Sequence, residues 1–553
     1  MKHLFLFLVL VSSIPAFAVR YQATSATLSD NATKNGDYVE MKDGDMIFNS
    51  VNVSQAGTYD ISIHYKQNYD ETKTQNLVIN GTSAGTVTFP KTTTWQDISV
   101  AASLKSGNNT VAITKNWGWV DIQYIDVTLH ENISFNLDKN LVNPNANEAA
   151  KKMFAFMQEN FQKKIISGVM TDKVVDNSNN AVTLNSQEEV AFIRSSSNKT
   201  PALVGFDFMH GTGKSSDQIW YKSYTKATIS LAKELYQRNG IPAFCWHWRN
   251  PLKKDEEFST SKTDFDLTKA CTNASCTAWS TNSNEYKAIV ADIDIVAGYL
   301  KELQTAGVPV LWRPVHEASG GWFWWGAKGA APYKLLYNLL FERLTTTHNL
   351  NNLIWVWNSE GADANWYPGA NYVDIIGRDF YYEPEQKNHA SLIGEFEKLK
   401  NLFGTKKMIA LSENGSVPYP ENLKGDGAGW SYFMPWYGKY TNSSTHNVAS
   451  DWSKIMNDNY VITLEDMPDW DNYNQTPILE NRIPVTHFSI QTQSDKTLRI
   501  EISSPALVEI FDIKGNKAAS MNVSGSQTVK LSLPSGVYFA KVRGMQNVMF
   551  VLK

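Results

Sequence analysis

The sequence predicts an α/β protein built around a (β/α)8 TIM barrel, with a β-sandwich module before the barrel and a small all-β domain after it. From residue 20 to about 131, short segments alternate apolar and polar residues between Gly and Asn turns, as in antiparallel sandwiches. From residue 151, eight apolar runs are separated mostly by amphipathic helical segments, which is the pattern of a (β/α)8 barrel. After Trp470, a linker leads into a second period-two region.

Length and charge limit the class of partner. A chain of 553 residues is too long for one compact domain. The 51 basic and 55 acidic residues give a formal charge of −4, which offers no electrostatic surface for nucleic acid or for anionic membranes. The 18 Trp and 24 Tyr instead favour stacking on an uncharged ligand. We therefore expect a neutral partner and a monomeric protein.

The first residues have the form of a secretory signal. Lys2 precedes an apolar run from Leu4 to Val11, and Ala16-Phe17-Ala18 is a small-x-small cleavage site. No other stretch is long enough to span a membrane as a helix. We expect a protein that is secreted or held at a bacterial cell surface, without a membrane span.

The changes in pattern predict six segments. The polar, Asn-rich linker after the sandwich suggests a module that is only tethered, and that acts by raising the local concentration of the enzyme. The expected segments are a signal peptide (1–18), the sandwich (19–132), a linker (133–149), the barrel (150–470), a second linker (471–484) and the C-terminal β-rich domain (485–553).

Three cysteines leave one question open. In an oxidising compartment, Cys271 and Cys276 could close a small loop. Cys245 lies in an apolar strand and is expected to be a buried free thiol. The three have no matching His cluster, so no zinc site is predicted.

Polar or aromatic residues end nearly every predicted barrel strand. The carboxyl ends of barrel strands meet at one face, which holds the active site in such folds. We therefore expect these side chains to converge. They are Asp207, His247, Glu317, Asn358, Tyr381, Glu413 and Trp436.

The segment from Leu311 to Lys328 is the strongest candidate for chemistry. Its strand delivers Arg313, His316 and Glu317 to a loop that carries several tryptophans. Sugar rings stack on indole through their C–H faces and need a few placed polar partners, so a carboxylate beside an aromatic wall suits glycoside chemistry. The alternative is a buried, paired Glu in a Trp-rich core.

Two carboxylates stand at opposite sides of the predicted barrel. Retaining glycoside hydrolysis needs an ionised nucleophile and a proton donor roughly 5 to 5.5 Å apart. Glu317 after the fourth strand and Glu413 after the seventh are the pair that we expect. Apolar surroundings and the charge of its partner would keep Glu317 partly protonated. Arg313 and His316 are the local groups that could keep Glu413 ionised.

Two other catalytic or binding motifs do not fit the sequence. The zinc-protease pattern fails because its second His would fall at Gly320. A phosphate loop fails because its first Gly would fall at Phe208. Glu360, Asp379 and Glu383 are rival carboxylates near the same rim, and are expected to be structural or supporting groups.

Five motifs occur in order between residues 150 and 470: WHW at Trp246–Trp248, RPVHEASGGWFWWG, RDFYY, ALSENG and WSYFMPWYG. Together they resemble glycoside hydrolase family 26. The resemblance implies a retaining enzyme, in most cases an endo-β-1,4-mannanase, that acts on β-mannan or a related neutral plant polysaccharide without a cofactor or metal.

The same resemblance assigns expected roles by matching motif. It implies that Glu317 is the acid/base and Glu413 the nucleophile. It further implies that His316 orients the nucleophile and that Tyr381 hydrogen-bonds it. Three more positions are similar to family residues that contact substrate around the cleaved bond: His247, Trp322 and Trp436.

The two flanking regions carry resemblances of their own. The segment from YQATSATL to KSGNNTVAITKNWGWVDIQYIDV resembles carbohydrate-binding module family 35, which implies a sugar-binding sandwich with Trp117 as a ligand contact or, alternatively, as a packed core residue. Gln22 and Thr24 stand where the family usually has calcium-binding acids. The tail, through FDIKGN and LPSGVYFAKV, resembles the sorting domain of the bacterial type IX secretion route, which implies that secretion machinery is a partner.

Two alternative functions stay open at this point. The family also includes enzymes for mixed-linkage β-glucan or xylan, because the C2 configuration is recognised by loops that a sequence does not place. A non-catalytic polysaccharide-binding surface protein is the alternative from another class. Having both Glu317 and Glu413 argues against it.

Overall fold

The computed structural model describes residues 18–473, 488–493, 496–513, 516–542 and 548–552. Most of the expected signal peptide and of the second linker therefore lie outside the described residues. Two structural units are distinguished, residues 1–475 and 476–553, and each is treated by itself below.

The N-terminal region is a sandwich of two antiparallel sheets. One sheet has the order β3-β4-β11-β6-β9, with β1 beside β11, and the other has the order β2-β5-β10-β7-β8. Alternate residues of β6, such as Ile61, Ile63 and Tyr65, are buried between the sheets, as period-two patterning requires. The strands are β1 (Val19–Gln22), β2 (Thr27–Leu28), β3 (Thr33–Asn35), β4 (Tyr38–Glu40), β5 (Met46–Val53), β6 (Gly57–Gln67), β7 (Lys73–Ile79), β8 (Thr82–Phe89), β9 (Thr92–Leu104), β10 (Gly107–Trp117) and β11 (Asp121–Leu129).

The barrel follows, and the prediction of eight parallel strands is confirmed. Strands β13 to β20 form one sheet in chain order. A parallel bridge joins Ile166, in the short strand just before β13, to Tyr432, just before β20, and so brings the two ends of the sheet together. The eight barrel strands are β13 (Gly168–Met170), β14 (Leu203–Asp207), β15 (Ile241–Trp246), β16 (Val310–Pro314), β17 (Leu353–Ser359), β18 (Ile375–Phe380), β19 (Met408–Asn414) and β20 (Phe433–Pro435). Two further short strands, β12 (Ile165–Ile166) and β21 (Val461–Ile462), form a separate parallel pair.

Helices surround the barrel, except between β17 and β18, where the sequence predicts only a short irregular link and the structure has no α-helix. The apolar strand residues and the inner faces of the helices form one core. The helices are α1 (Glu148–Asn160), α2 (Glu188–Ser197), α3 (Ile219–Gln237), α4 (Asn284–Thr305), α5 (Ala330–Glu342), α6 (Ile393–Phe403), α7 (Pro420–Asp426) and α8 (Ala449–Met456).

The sandwich packs directly on the barrel. At Gly394, in the first turn of α6, an added Cβ would lie only 2.9 Å from the carbonyl oxygen of Ala101 in β9, so the absence of a side chain permits this close approach. The Asn388 amide donates to the carbonyl of Ser83 at 3.0 Å. The Thr58 hydroxyl donates to the carbonyl of Asp426 at 3.0 Å. These contacts join both sheets of the sandwich to one side of the barrel.

The polar segment between the sandwich and α1 also packs on the barrel. Phe135 and Leu141 are buried in the barrel core. The backbone N–H of Asn136 donates to Thr405 at 3.0 Å, and that of Val142 to the Asp374 carboxylate at 2.7 Å. The structure therefore differs from the expectation of a module that is only tethered. The Asn-rich composition of this segment predicted a linker, and composition alone did not show that its apolar residues are buried.

The C-terminal unit is a small antiparallel β-structure with its own core. Leu498, Ile500 and Ile510 are among its fully buried residues. The order is β22-β23-β25-β26, with β24 beside β23. Its strands are β22 (Phe488–Thr492), β23 (Thr497–Asp512), β24 (Lys517–Lys530), β25 (Gly536–Lys541) and β26 (Val548–Leu552).

The cysteines and the helices bear on two further expectations. Cys271 and Cys276 form a disulfide, and Cys245 is a buried free thiol as predicted. Among the described helices, none combines the length and apolar character that a membrane span requires.

His130 links the sandwich to the barrel by charge. Its Nδ1 lies 2.8 Å from Asp60 of the sandwich, and its Nε2 lies 3.2 Å from Glu397 of α6. Hydrogen bonding to Asp60 and Glu397 raises the pKa of His130 from 6.5 to about 9. The folded-state pKa is raised, so this stabilisation is fully present below about pH 6.5 and is lost as the pH rises through about 9.

We predict that His130→Gln lowers the thermal unfolding temperature at pH 6 but has little effect at pH 10. Unfolding temperatures of the two proteins across this range test it. Asp60→Asn should show the same trend, because it removes one of the two anions that hold the imidazolium. A deficit of equal size at pH 6 and pH 10 would contradict the charge interaction.

Candidate active site

Strand β16 ends in a strained backbone. Val315 and Glu317 both have positive φ, 43° and 52°, a region that costs non-glycine residues about 1–3 kcal/mol each. The Asn358 side chain accepts a hydrogen bond of 2.7 Å from the Glu317 backbone N–H. This local conformation turns Glu317 from the strand direction into the open end of the barrel.

Glu413, at the end of β19, is held at both carboxylate oxygens. The Arg313 guanidinium donates to Oε1, and the Tyr381 hydroxyl donates to Oε2 at 2.9 Å. His316 Nε2 lies 3.9 Å from Oε1, which is too long for a hydrogen bond. Arg313 and Tyr381, rather than His316, are therefore the residues that fix this carboxylate.

Asp379 is the third carboxylate of the cluster. It accepts from Arg313 at 2.7 Å and from the Ser412 hydroxyl at 2.7 Å. Single oxygens of Glu317, Asp379 and Glu413 lie within 4.8 Å of one another. One guanidinium cannot neutralise three carboxylates, so the arrangement favours a proton on one of them.

The proton belongs on Glu317. Burial raises the pKa of Glu317, and the charges of Glu413, Asp379 and Glu360 raise it further. Burial and Asp379 also raise the pKa of Glu413, but Arg313 acts in the opposite direction on that carboxyl. The site thus separates two identical side chains into an acid and a carboxylate.

Two histidines stand beside the pair. Burial, together with Arg313 and His247, holds the pKa of His316 well below its usual value, so His316 is neutral. The Trp325 indole donates to the His316 carbonyl at 2.7 Å. Asp207 accepts from the backbone of His247 at 3.0 Å and contacts its Nδ1 at 2.6 Å, an arrangement that fixes the imidazole ring. The sequence pattern placed Asp207 at the end of a strand but did not predict that Asp207 orients His247.

Aromatic side chains form the walls around the pair. Trp322 is 43% exposed, and its indole N–H donates to Glu317 at 2.8 Å. The Trp436 ring lies 5.7 Å from that of His247.

Trp324 and Trp325 are buried and pack the loop. Phe258 and Phe323 also contact His247, and no motif or strand end pointed to these two residues.

Two hollows open near the site. One, of about 510 Å³, is lined by Trp220, Tyr437 and the loop after β13, and by none of the three carboxylates. The other, of about 470 Å³, lies between barrel loops and the sandwich, and we call it the seam cleft. The barrel side of the seam cleft includes Glu317, Trp322 and Arg378, and the sandwich side includes Asn76, Thr86 and Thr88. The sequence did not predict that the sandwich reaches the site.

Two clusters have the composition of metal ligands. One is the Glu317, Asp379 and Glu413 group, whose charge is already balanced in part by Arg313. The other joins Asp207, Cys245 and His247. In this second group Asp207 and the His247 Nδ1 already contact each other at 2.6 Å, and burial raises the pKa of the Cys245 thiol well above its usual value.

Trp117 lies at the end of β10, far from the core of the sandwich. It is 48% exposed, and the Lys73 ammonium lies 4.0 Å from its ring centroid. The interpretation of Trp117 as a packed core residue is therefore excluded.

Comparison with known proteins assigns the family. Residues 142–466 match the model of glycosyl hydrolase family 26, and residues 16–130 match that of carbohydrate binding module family 35. The chain belongs to glycosyl hydrolase family 26. The resemblance of the two regions noted in the sequence is confirmed, and the sandwich and barrel occur in the order expected.

Relatives of this family-26 chain are similar over most of its length. A mannan endo-1,4-beta-mannosidase of Thermothelomyces thermophilus is 33% identical, over 82% of this chain and 91% of the relative. The crystal structure of a Podospora anserina GH26-CBM35 beta-(1,4)-mannanase has a TM-score of 0.56 and 33% identity, over 82% of this chain and 99% of that one. A beta-mannanase from a symbiotic protist of the termite Reticulitermes speratus, complexed with gluco-manno-oligosaccharide, has a TM-score of 0.55 and 39% identity, over 61% and 100%.

We predict that Arg313→Lys moves the acidic limb of the pH profile of kcat/KM to higher pH by about 1 unit or more. A single ammonium cannot bridge Glu413 and Asp379 as the guanidinium does, so the pKa of Glu413 rises and this carboxyl, the expected nucleophile, ionises at higher pH. Hydrolysis of an aryl glycoside from pH 4 to 9 measures the shift.

The matched control is Arg343→Lys, because Arg343 makes a two-point ion pair with Asp294 away from the site. The control should keep the wild-type profile. An Arg313→Lys profile with an unmoved acidic limb would show that Arg313 does not set the ionisation of Glu413.

Proposed function

We propose that this chain is a retaining endo-β-1,4-mannanase that hydrolyses mannan, glucomannan or galactomannan by double displacement. The observation that carries the proposal is the spacing of the carboxylates. One oxygen of Glu317 and one of Glu413 lie within 4.8 Å of each other, which is closer to the roughly 5 to 5.5 Å between the carboxyl groups of retaining enzymes than to the roughly 6.5–9.5 Å that inverting enzymes leave for a water molecule.

The first step uses the two protonation states described above. The Glu413 carboxylate attacks the anomeric carbon while the glycosidic C–O bond breaks, and Glu317 gives its proton to the leaving oxygen. Tyr381 and Arg313 hold Glu413 in place for the attack. The product of this step is a glycosyl ester on Glu413.

The second step reverses the roles. Glu317, now a carboxylate, takes a proton from water, and the water oxygen attacks the anomeric carbon and releases Glu413. The strongly raised pKa of Glu317 in the presence of a second anion suits this exchange, because the pKa falls when Glu413 is esterified and uncharged.

The remaining site residues have proposed roles in holding the sugar. The exposed Trp322 face and the Trp436 ring suit stacking on sugar C–H faces. His247, oriented by Asp207, and the neutral His316 present ring nitrogens to hydroxyl groups. Trp117 is proposed as the sandwich's own contact with polysaccharide.

Substrate and mode of action are argued from the relatives and the shape of the cleft. The hollow that extends from Glu317 along the sandwich, with a second hollow beside Tyr437, favours attack within a chain rather than at its end. The curated relatives are named as endo-1,4-beta-mannosidases, and one similar structure holds a gluco-manno-oligosaccharide. A mixed-linkage glucanase or xylanase would instead release reducing ends from lichenan or xylan. A surface binder without catalysis would release none from any substrate.

We also propose that the protein is an exported monomer with the segment boundaries given above, except that residues 133–149 pack on the barrel and are not a free linker. The signal-like residues 1–18 and the tail resembling a type IX sorting domain support this proposal. The activity of similar mannanases on polysaccharides too large to enter a cell is consistent with action outside it.

We predict that Glu413→Ala loses several orders of magnitude in turnover on every substrate, because no glycosyl-enzyme forms. Glu317→Ala should instead keep the first step on an aryl glycoside with a good leaving group and lose it on mannan. Azide should rescue Glu317→Ala and yield the β-glycosyl azide, whereas any azide product of Glu413→Ala should be α. Stopped assays measure the turnover of each variant on each substrate, and NMR of the products gives the configuration of the glycosyl azides.

Glu302→Ala serves as the control, since Glu302 is exposed on α4 and pairs with Lys233. It should behave as wild type. An α-anomer as the initial wild-type product would show inversion and contradict the mechanism. Exchange of the two azide behaviours would exchange the roles of Glu317 and Glu413.

We predict that a chain ending at Tyr473 keeps its turnover on mannan but is not exported by a host that has type IX secretion. The last barrel strand and α8 end before this residue, so the catalytic region is complete. Sequencing the exported full-length protein should give Val19 as its first residue. Loss of hydrolysis by a folded truncated chain would contradict the independence of the tail.

A further inference from the structure

We infer that the outward face of sandwich strands β7 and β8 is a polysaccharide subsite of the catalytic cleft, on the leaving-group side of the cleaved bond. The inference rests on the proposed function and adds to it a substrate-binding role for the sandwich within the catalytic cleft. The residues concerned are Asn76, Thr86 and Thr88.

Strand register places these residues on one face. Asn76 lies opposite Thr86, and Thr74 lies opposite Thr88, and residues opposite each other in an antiparallel pair point to the same side. The alternate residues of β8, including Val87, are buried in the sandwich core. The polar row therefore faces away from the core, and all three residues line the seam cleft.

The docking of the sandwich sets the distance between the two walls. The Asn388–Ser83 hydrogen bond and the close approach at Gly394 hold β8 and β9 against the barrel. At Gly85, in the middle of β8, an added Cβ would lie 3.9 Å from a carboxylate oxygen of Glu395. The sandwich wall thus lies in van der Waals range of the barrel beside the cleft rather than at the end of a tether.

The chemistry of the seam cleft suits a neutral, hydroxylated ligand. The half-buried hydroxyls of Thr86 and Thr88 make no hydrogen bond with any residue that the structure describes, so both are free to bind a ligand. The cations of the barrel wall are already paired, since Arg378 and Lys398 both donate to Glu395. Trp322 adds an exposed apolar face. A sugar ring requires this combination of a flat apolar face and unpaired polar groups.

The position of Glu317 identifies which part of the substrate lies there. Glu317 lines the seam cleft, while Glu413 does not. The acid must reach the oxygen of the leaving sugar, whereas the nucleophile approaches the opposite side of the anomeric carbon. The seam cleft therefore begins at the leaving group and continues away from the bond that breaks.

The same face connects the cleft to Trp117. Thr88 is opposite Thr74, and Thr74 is opposite Trp117 on the next strand. Two inter-strand steps of about 4.8 Å separate Thr88 from Trp117. One polysaccharide chain leaving the cleft would thus pass along the sandwich toward this exposed ring. The same surface of the sandwich would then both retain the polysaccharide at Trp117 and position it in the seam cleft.

The test compares the double variant Thr86→Ala/Thr88→Ala with wild type on mannohexaose and on an aryl β-mannobioside. Loss of two hydrogen bonds should raise KM for mannohexaose about 5- to 20-fold with little change in kcat. The aryl substrate, whose leaving group ends beside Glu317, should change less than about twofold. Thr128→Ala, a half-exposed threonine of β11 in the other sheet, is the matched control and should match wild type.

A second variant tests docking itself. Gly394→Leu cannot maintain the close approach to Ala101, and should show the same selective loss on mannohexaose while keeping activity on the aryl substrate, which reports a folded barrel. Unchanged KM for mannohexaose in the double variant, or equal losses on both substrates, would overturn the inference while leaving the proposed function intact. Failure of the wild-type protein to hydrolyse mannohexaose would instead overturn the proposed function.

Discussion

The buried guanidinium of Arg313 is the interaction on which the catalytic arrangement depends. It lies between Asp379 and Glu413. The attraction of these two carboxylates offsets the cost of burying the guanidinium charge. Without it, three carboxylates within 4.8 Å of one another would compete for protons, and none would be reliably ionised. With it, two anions are stabilised and the third group, Glu317, is left to carry the proton.

Backbone strain and aromatic packing complete this separation of roles. Glu317 is turned into the cleft by left-handed backbone at the end of β16 and is held by Asn358. Trp324 and Trp325 pack behind the loop, and Trp322 donates to the acid itself. Large aromatic side chains, two of them buried, thus help to place one carboxyl, as is common where an active site stores strain.

Sequence patterns predicted the barrel because its strands are apolar on both faces and its helices have a clear period, so each element is visible locally. The ends of β16 and β19 pointed to Glu317 and Glu413 for the same reason. Asp379 was visible only as a rival carboxylate, since its pairing with Arg313 depends on strands that meet in space. His316 was expected to orient Glu413 and lies 3.9 Å from it, whereas Arg313 and Tyr381 make the direct hydrogen bonds to that carboxylate.

The docking of the sandwich was the feature that the sequence could not predict, and it changes how the two domains relate to function. Its contacts involve backbone carbonyls and a glycine, which carry no pattern. A module on a flexible tether raises only the local concentration of substrate. A module whose strand lies in van der Waals range of the barrel instead shares the binding of one chain with the catalytic residues, so binding energy gained on β8 can position the bond beside Glu317.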